Sequence, residues 1–163
     1  AMHELIARLT PLIDGSSSKI GLKLPPYISD EQTKVASQLA IAINKENIFD
    51  FIVTSNTIPD QVALDEHNRP VLSVPGGAGG MSGPATKEVG REQLKLWRQH
   101  LDDSIDIISA LGVDSGKEIA IRRQLGASAA GGVTFLWESD DWGRTASNLI
   151  SDWVDEEERL QAS

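Results

Sequence analysis

Short apolar runs alternate with segments of helical period along the chain, and this alternation limits the fold more than any other feature. Strands are predicted at Ile20–Leu24, at Phe49–Thr54, at Ile105–Ala110 and from Ala127 to Trp137. Helical spacing is carried by Val35, Ala36, Leu39, Ala40 and Ile43, then by Leu94, Trp97 and Leu101, then by Ile119, Ala120 and Arg123. A last stripe holds Trp142, Ala146, Leu149, Ile150, Trp153 and Val154. An opening helix with Leu5, Ile6, Leu9, Leu12 and Ile13 stops at Asp14-Gly15-Ser16. Strands separated by helices pair in parallel, with right-handed crossovers. The class is therefore α/β. Four parallel strand–helix units correspond to half of a closed (β/α)8 barrel, which needs about 250 residues. A small open four-stranded sheet is the alternative.

One excursion interrupts the alternation. Val62-Ala63-Leu64-Asp65 and Val71-Leu72-Ser73-Val74 flank a turn-rich segment and read as a β-hairpin. The stretch Gly76-Gly77-Ala78-Gly79-Gly80 that follows is too rich in glycine for a strand interior.

Composition narrows the partners. The 163 residues carry a net charge of -9, which argues against nucleic acid or an anionic membrane. There is no cysteine, so disulfides and thiolate metal sites are excluded, and the three histidines show no ligand spacing. No metal is expected. No run is apolar enough to span a bilayer, so a cytoplasmic protein is expected. Residues 4–160 form one domain; residues 1–3 read as a vector remnant and 155–163 as an acidic, solvated tail.

Lys23 is the most telling single residue. Side chains alternate along a strand, so Ile20, Leu22 and Leu24 share one face while Gly21 and Lys23 share the other. Pro25-Pro26 ends the strand there. A lysine at the end of a buried strand either snorkels to water or meets an anionic ligand. Asn56 and Thr57, at the end of the second strand, offer a donor, an acceptor and a hydroxyl, or else simply form a turn. The glycines from Gly76 to Gly83 allow close backbone approach by a ligand, or form a flexible link. Gly112 and Gly116 bracket a helix start, where free N–H groups suit a phosphate. Asp114 and Ser115 there suit a helix N-cap. Trp97, Trp137, Trp142 and Trp153 read as core or interface anchors.

The run Lys-Ile-Gly-Leu-Lys-Leu-Pro-Pro-Tyr from Lys19 to Tyr27 resembles the fifth barrel strand of dihydroorotate dehydrogenases, in particular the soluble fumarate-linked class. Ile52-Val53-Thr54-Ser55-Asn56-Thr57 resembles strand six, Gly79-Gly80-Met81-Ser82-Gly83 the flavin-contacting glycine loop, Leu111-Gly112-Val113 the phosphate loop after strand seven, and Gly126-Ala127-Ser128 the start of strand eight. The resemblance implies the second half of a TIM barrel that binds FMN and oxidises dihydroorotate to orotate in pyrimidine synthesis. It implies that Lys23, Gly79, Gly80, Gly112 and Thr134 meet the cofactor and that Asn56 and Thr57 meet the pyrimidine. No catalytic base is assigned, because the family's base lies in the other half. Such a chain is expected to be inactive in isolation. A non-catalytic binding or scaffold module on the same degenerate fold is the second expectation. Leu111 and Val133 stand where the family has glycine, and both add bulk near the phosphate. Asp114, Glu138, Asp140 and Asp141 place carboxylates on the neighbouring loops.

A half barrel leaves a strand edge unpaired at each side. A homodimer, or pairing with another chain through those edges, is therefore expected.

Overall fold

A computed structural model describes residues 2–13, 17–137 and 139–162. The predicted turn at Asp14-Gly15-Ser16 and the carboxylate of Glu138 lie outside these residues. Strands β1 (Gly21–Leu24), β2 (Phe51–Thr54), β5 (Asp106–Ser109) and β6 (Ala129–Ala130) form a parallel sheet in the order β1-β2-β5-β6. Helices α1 (Met2–Ile13), α2 (Asp30–Glu46), α3 (Lys87–His100) and α4 (Gly116–Gln124) separate or flank them. Strands β3 (Ile58–Val62) and β4 (Ala78–Met81) form the excursion, an antiparallel pair. The short helix α5 (Thr134–Trp137) and the long α6 (Trp142–Gln161) close the chain.

The register puts Lys23, Val53, Ile108 and Ala129 side by side. Paired residues share a face, so this row and the alternate row Leu24, Thr54 and Ser109 point to opposite sides. Leu24, Ile52 and Ile107 are buried under the helices with Leu39, Ile43, Leu94 and Trp97. The expected alternation in β1 is observed: Ile20 and Leu22 pack against the core that Leu24 enters, while Lys23 is exposed.

Local chemistry fixes the helices. Ser29 accepts a hydrogen bond from the Gln32 N–H and the Gln32 side chain answers the Ser29 N–H, a reciprocal cap at the start of α2. Asn47 ends α2 in the left-handed region, at φ 49°. The exit from β1 is clamped to α3: the Tyr27 N–H donates to Gln93 Oε1, and Gln93 Nε2 donates back to the Tyr27 carbonyl, each at 2.8 Å. The Tyr27 ring meets the buried Trp97 edge-on at 5.5 Å.

Three expectations need correction. First, the second arm of the hairpin is not Val71–Val74. Leu64 bridges Pro70, but the ladder resumes in the glycine-rich Ala78–Met81. Glycine is required there because side chains from elsewhere fill the space: a Cβ on Gly80 would collide with the Thr57 side chain, and one on Gly79 with Leu72. Second, the last strand is two residues long rather than eleven. The Gly131 N–H makes the last sheet bond, to the Ser109 carbonyl at 2.9 Å. Gly132 then packs so tightly on the Val113 carbonyl that no Cβ would fit, and the chain turns into α5. Third, the stripe on α6 is not core. Leu149 and Trp153 are half-buried, near α4, whereas Trp142, Ile150 and Val154 are exposed. Of the tryptophans only Trp97 is a core anchor, and Trp137 is 78% exposed. Leu12 on α1 is likewise exposed. Asp155–Glu158 are helical, inside α6.

Candidate functional site

The C-terminal ends of β1, β2, β5 and β6 open into a basin of about 450 Å3. Lys23, Asn56, Thr57, Gly112, Val133 and Thr134 all line it. They come from far apart in sequence and meet because parallel strands deliver their ends to one side of the sheet. The Lys23 side chain makes no ion pair or hydrogen bond with any described residue. The Asn56 N–H donates to the Leu24 carbonyl at 2.8 Å, which locks the ends of β1 and β2 together. Asn56 Oδ1 accepts from the Thr57 N–H at 3.0 Å. The turn reading of Asn56 therefore holds for its oxygen, while its amide group remains open to the basin.

Gly79 and Gly80 do not line the basin. They belong to β4, under Leu72 and Thr57. Of the glycines from Gly76 to Gly83, the one that meets the basin is Gly83, at φ 81°, with Thr134 Cγ2 3.2 Å from where its Cβ would sit. Ser55 was also missed. It lines the basin, is 4% exposed, and its hydroxyl has no partner among the described residues.

After β5, Leu111 and Gly112 are both left-handed, at φ 71° and 77°. A glycine at position 111 would fit this geometry, and a leucine there costs about 1–2 kcal/mol. Gly112 is needed for a second reason: its Cβ would lie 2.5 Å from the backbone of Lys87 at the start of α3.

The start of α4 cannot serve as a phosphate site as it stands, because its amides are either bonded or covered by α6. Ser115 is the N-cap and accepts from the Glu118 N–H at 3.2 Å. The Lys117 N–H donates to Asp152 of α6 at 2.9 Å. Gly116 lies directly beneath the α6 backbone at Leu149 and Trp153. The amides of Gly112, Val113, Gly132, Val133 and Thr134, on the two loops that border the basin, are among those that make no hydrogen bond with a described residue.

Charge near these loops also differs from expectation. Asp114 is paired with Lys87 at 2.9 Å, so it does not face the basin as a bare carboxylate. Asp140 and Asp141 are outside the lining, and Asp141 caps α6 by accepting from the Arg144 N–H.

The largest surprise lies behind the loop. Of the expected Ile119, Ala120 and Arg123 on α4, only Ala120 is buried; in place of the other two, Glu118 and Arg122 are buried. Both are about fully buried. Arg122 Nε donates to Glu118 Oε1 at 2.6 Å, and Arg91 donates to both oxygens of Glu118. Arg122 also reaches the carbonyls of Lys87 (3.0 Å) and Leu111 (3.1 Å) and the Ser109 hydroxyl (2.8 Å). Burial pulls its basicity below the usual arginine value, and the Glu118 bond opposes that pull. The i,i+4 spacing of Glu118 and Arg122 is visible in the sequence, but such pairs are usually exposed.

Fold and site together define half of a parallel α/β barrel with an open basin at the C-terminal mouth. The dihydroorotate dehydrogenase family model matches residues 2–146. The chain belongs to this family. It is 30% identical over 153 residues to a quinone-type dihydroorotate dehydrogenase of Leifsonia xyli subsp. xyli, covering 91% of this chain and 43% of that one. It is 31% identical over 124 residues to the corresponding protein of Kineococcus radiotolerans, covering 76% and 32%. A crystal structure of the Eimeria tenella enzyme in complex with ferulenol superposes with a TM-score of 0.76 at 15% identity, over 99% of this chain and 45% of that one. The chain thus spans less than half the length of these relatives. They do not support the narrower likeness to the fumarate-linked class. No helix among the described residues is long and apolar enough to cross a membrane.

Proposed function

We propose that this chain is the FMN-binding side of a dihydroorotate dehydrogenase-like oxidoreductase acting in pyrimidine synthesis in the cytoplasm. One observation carries the reading: an unpaired ammonium, an amide side chain and free loop amides converge on a single basin. These groups fit the cofactor. Lys23 would offset negative charge on the ring, and the amides of Gly112 and Thr134 would take the phosphate. Asn56 and Thr57 would orient the amide edge of a pyrimidine. FMN, when bound, would supply a hydride acceptor. Gly79 and Gly80 would act only indirectly, by seating Thr57. The chain alone is not expected to turn over, because a half-open basin does not exclude water from the reacting groups.

Leu111 and Val133 favour a second reading, a binding or scaffold module that has lost the cofactor. FMN titration followed by flavin absorbance decides between them. Binding to the purified protein supports the first reading, and no binding supports the second. In the variant Leu111→Gly with Val133→Gly, FMN affinity is expected to rise about tenfold, the worth of one recovered hydrogen bond to a charged group. Unchanged affinity would show that bulk at these positions is not what limits the cofactor.

We further propose self-association. Strands β1 and β6 each pair on one side only among the described residues, and open edges attract strands. Light scattering is expected to give the mass of a dimer; a monomer at all concentrations would refute this.

A further inference from the structure

We propose that Arg122 is a positioning residue for anion binding: it fixes the direction of the peptide between Leu111 and Gly112, so that the Gly112 N–H faces the basin. The inference rests on the reading of the basin as a phosphate-holding site. The C=O and N–H of a trans peptide point in opposite directions. The Leu111 carbonyl is held at 3.1 Å by the buried guanidinium, on the side away from the basin. The N–H of the same peptide belongs to Gly112, a residue that lines the basin, and has no partner among the described residues. The guanidinium is itself immobilised. It bonds Glu118, Ser109 and the Lys87 carbonyl, and Gly90 leaves the space it occupies.

The alternative orientation is a flipped peptide, with the Leu111 carbonyl in the basin. Its partial negative charge would then oppose an anion where the amide now attracts one. A flip of this peptide turns ψ of Leu111 and φ of Gly112, and a glycine accepts either sign of φ, so the residue at 112, now at φ 77°, does not by itself select the present state. The preference comes from the cation behind it. That cation also polarises the peptide and strengthens the outward N–H as a donor.

The test uses inorganic phosphate, with the Gly112, Val133 and Thr134 amides followed by 15N–1H NMR. In the wild-type chain, phosphate is expected to move the Gly112 signal. Arg122→Lys keeps the charge but not the planar set of donors, and is expected to weaken phosphate binding about tenfold, the worth of one hydrogen bond to a charged group. Arg122→Gln serves if the lysine variant does not fold. Ile43→Val, a mild core change in α2 far from the loop, controls for lost stability and is expected to leave phosphate affinity unchanged. Wild-type affinity in a folded Arg122 variant overturns the proposal, as does phosphate binding that leaves Gly112 unmoved. So does an equal loss in Ile43→Val. Phosphate binding without FMN binding would defeat the flavin reading and leave this one standing; binding of neither defeats both.

Discussion

Replacing Glu118 by alanine is expected to destabilise the fold by about 3–5 kcal/mol, the usual penalty for breaking a buried ion pair from one side. Glu118 is the only carboxylate shown bonding Arg122, which is fully buried, and it also holds Arg91. Without it, one guanidinium is left in the interior with only neutral acceptors. Desolvation then has no Coulombic return. Urea denaturation followed by circular dichroism measures the change. Glu118→Gln keeps the shape and one acceptor and should lose less. A loss under about 1 kcal/mol for the alanine variant, the range of exposed pairs, would mean that solvent reaches the pair.

Gly112→Ala is the second large effect, expected at about 2–5 kcal/mol. Two costs add. An alanine at φ 77° carries the left-handed penalty of about 1–2 kcal/mol. Its methyl would also lie 2.5 Å from Lys87 backbone atoms, which cannot swing aside as a side chain can. Overpacking of this kind costs roughly 1–3 kcal/mol. Gly131 is the matched control, because a Cβ there meets nothing within 4 Å. Gly131→Ala should change stability by less than about 0.5 kcal/mol. If the two alanine variants melt alike, the turn after β5 is looser than its contacts imply.

Much of the site was legible in the sequence because it follows from topology. Once Ile20–Leu24, Phe51–Thr54 and Ile107–Ser109 are parallel neighbours, Lys23, Asn56 and Gly112 must end on one side. What failed was whatever depends on a distant partner. Ala78–Met81 has no side-chain period to mark it as a strand, since Thr57 and Leu72 supply the bulk its glycines lack. Ala127 to Trp137 was read as one strand because small residues carry little directional signal; backbone contact at Gly132 sets the true end. Arg122 was invisible for a similar reason. Its burial is decided by Gly90, on another helix, and by carbonyls that no composition reveals. On α4 the hydrophobic period found the buried Ala120 but not Glu118 and Arg122, because the rest of the buried surface is ionic.

The placement of the indoles has a practical consequence. Trp137 and Trp142 already sit largely in water, Trp153 does so in part, and Trp97 alone is sealed. Denaturation will therefore redshift one emitter against a background of others whose surroundings barely alter. Intrinsic fluorescence will understate cooperativity, and its small signal will report chiefly on the seam between α3 and the sheet. Conversely, Trp137, on the short helix that begins at Thr134 of the basin rim, makes the native state a sensitive donor for any coloured ligand bound nearby.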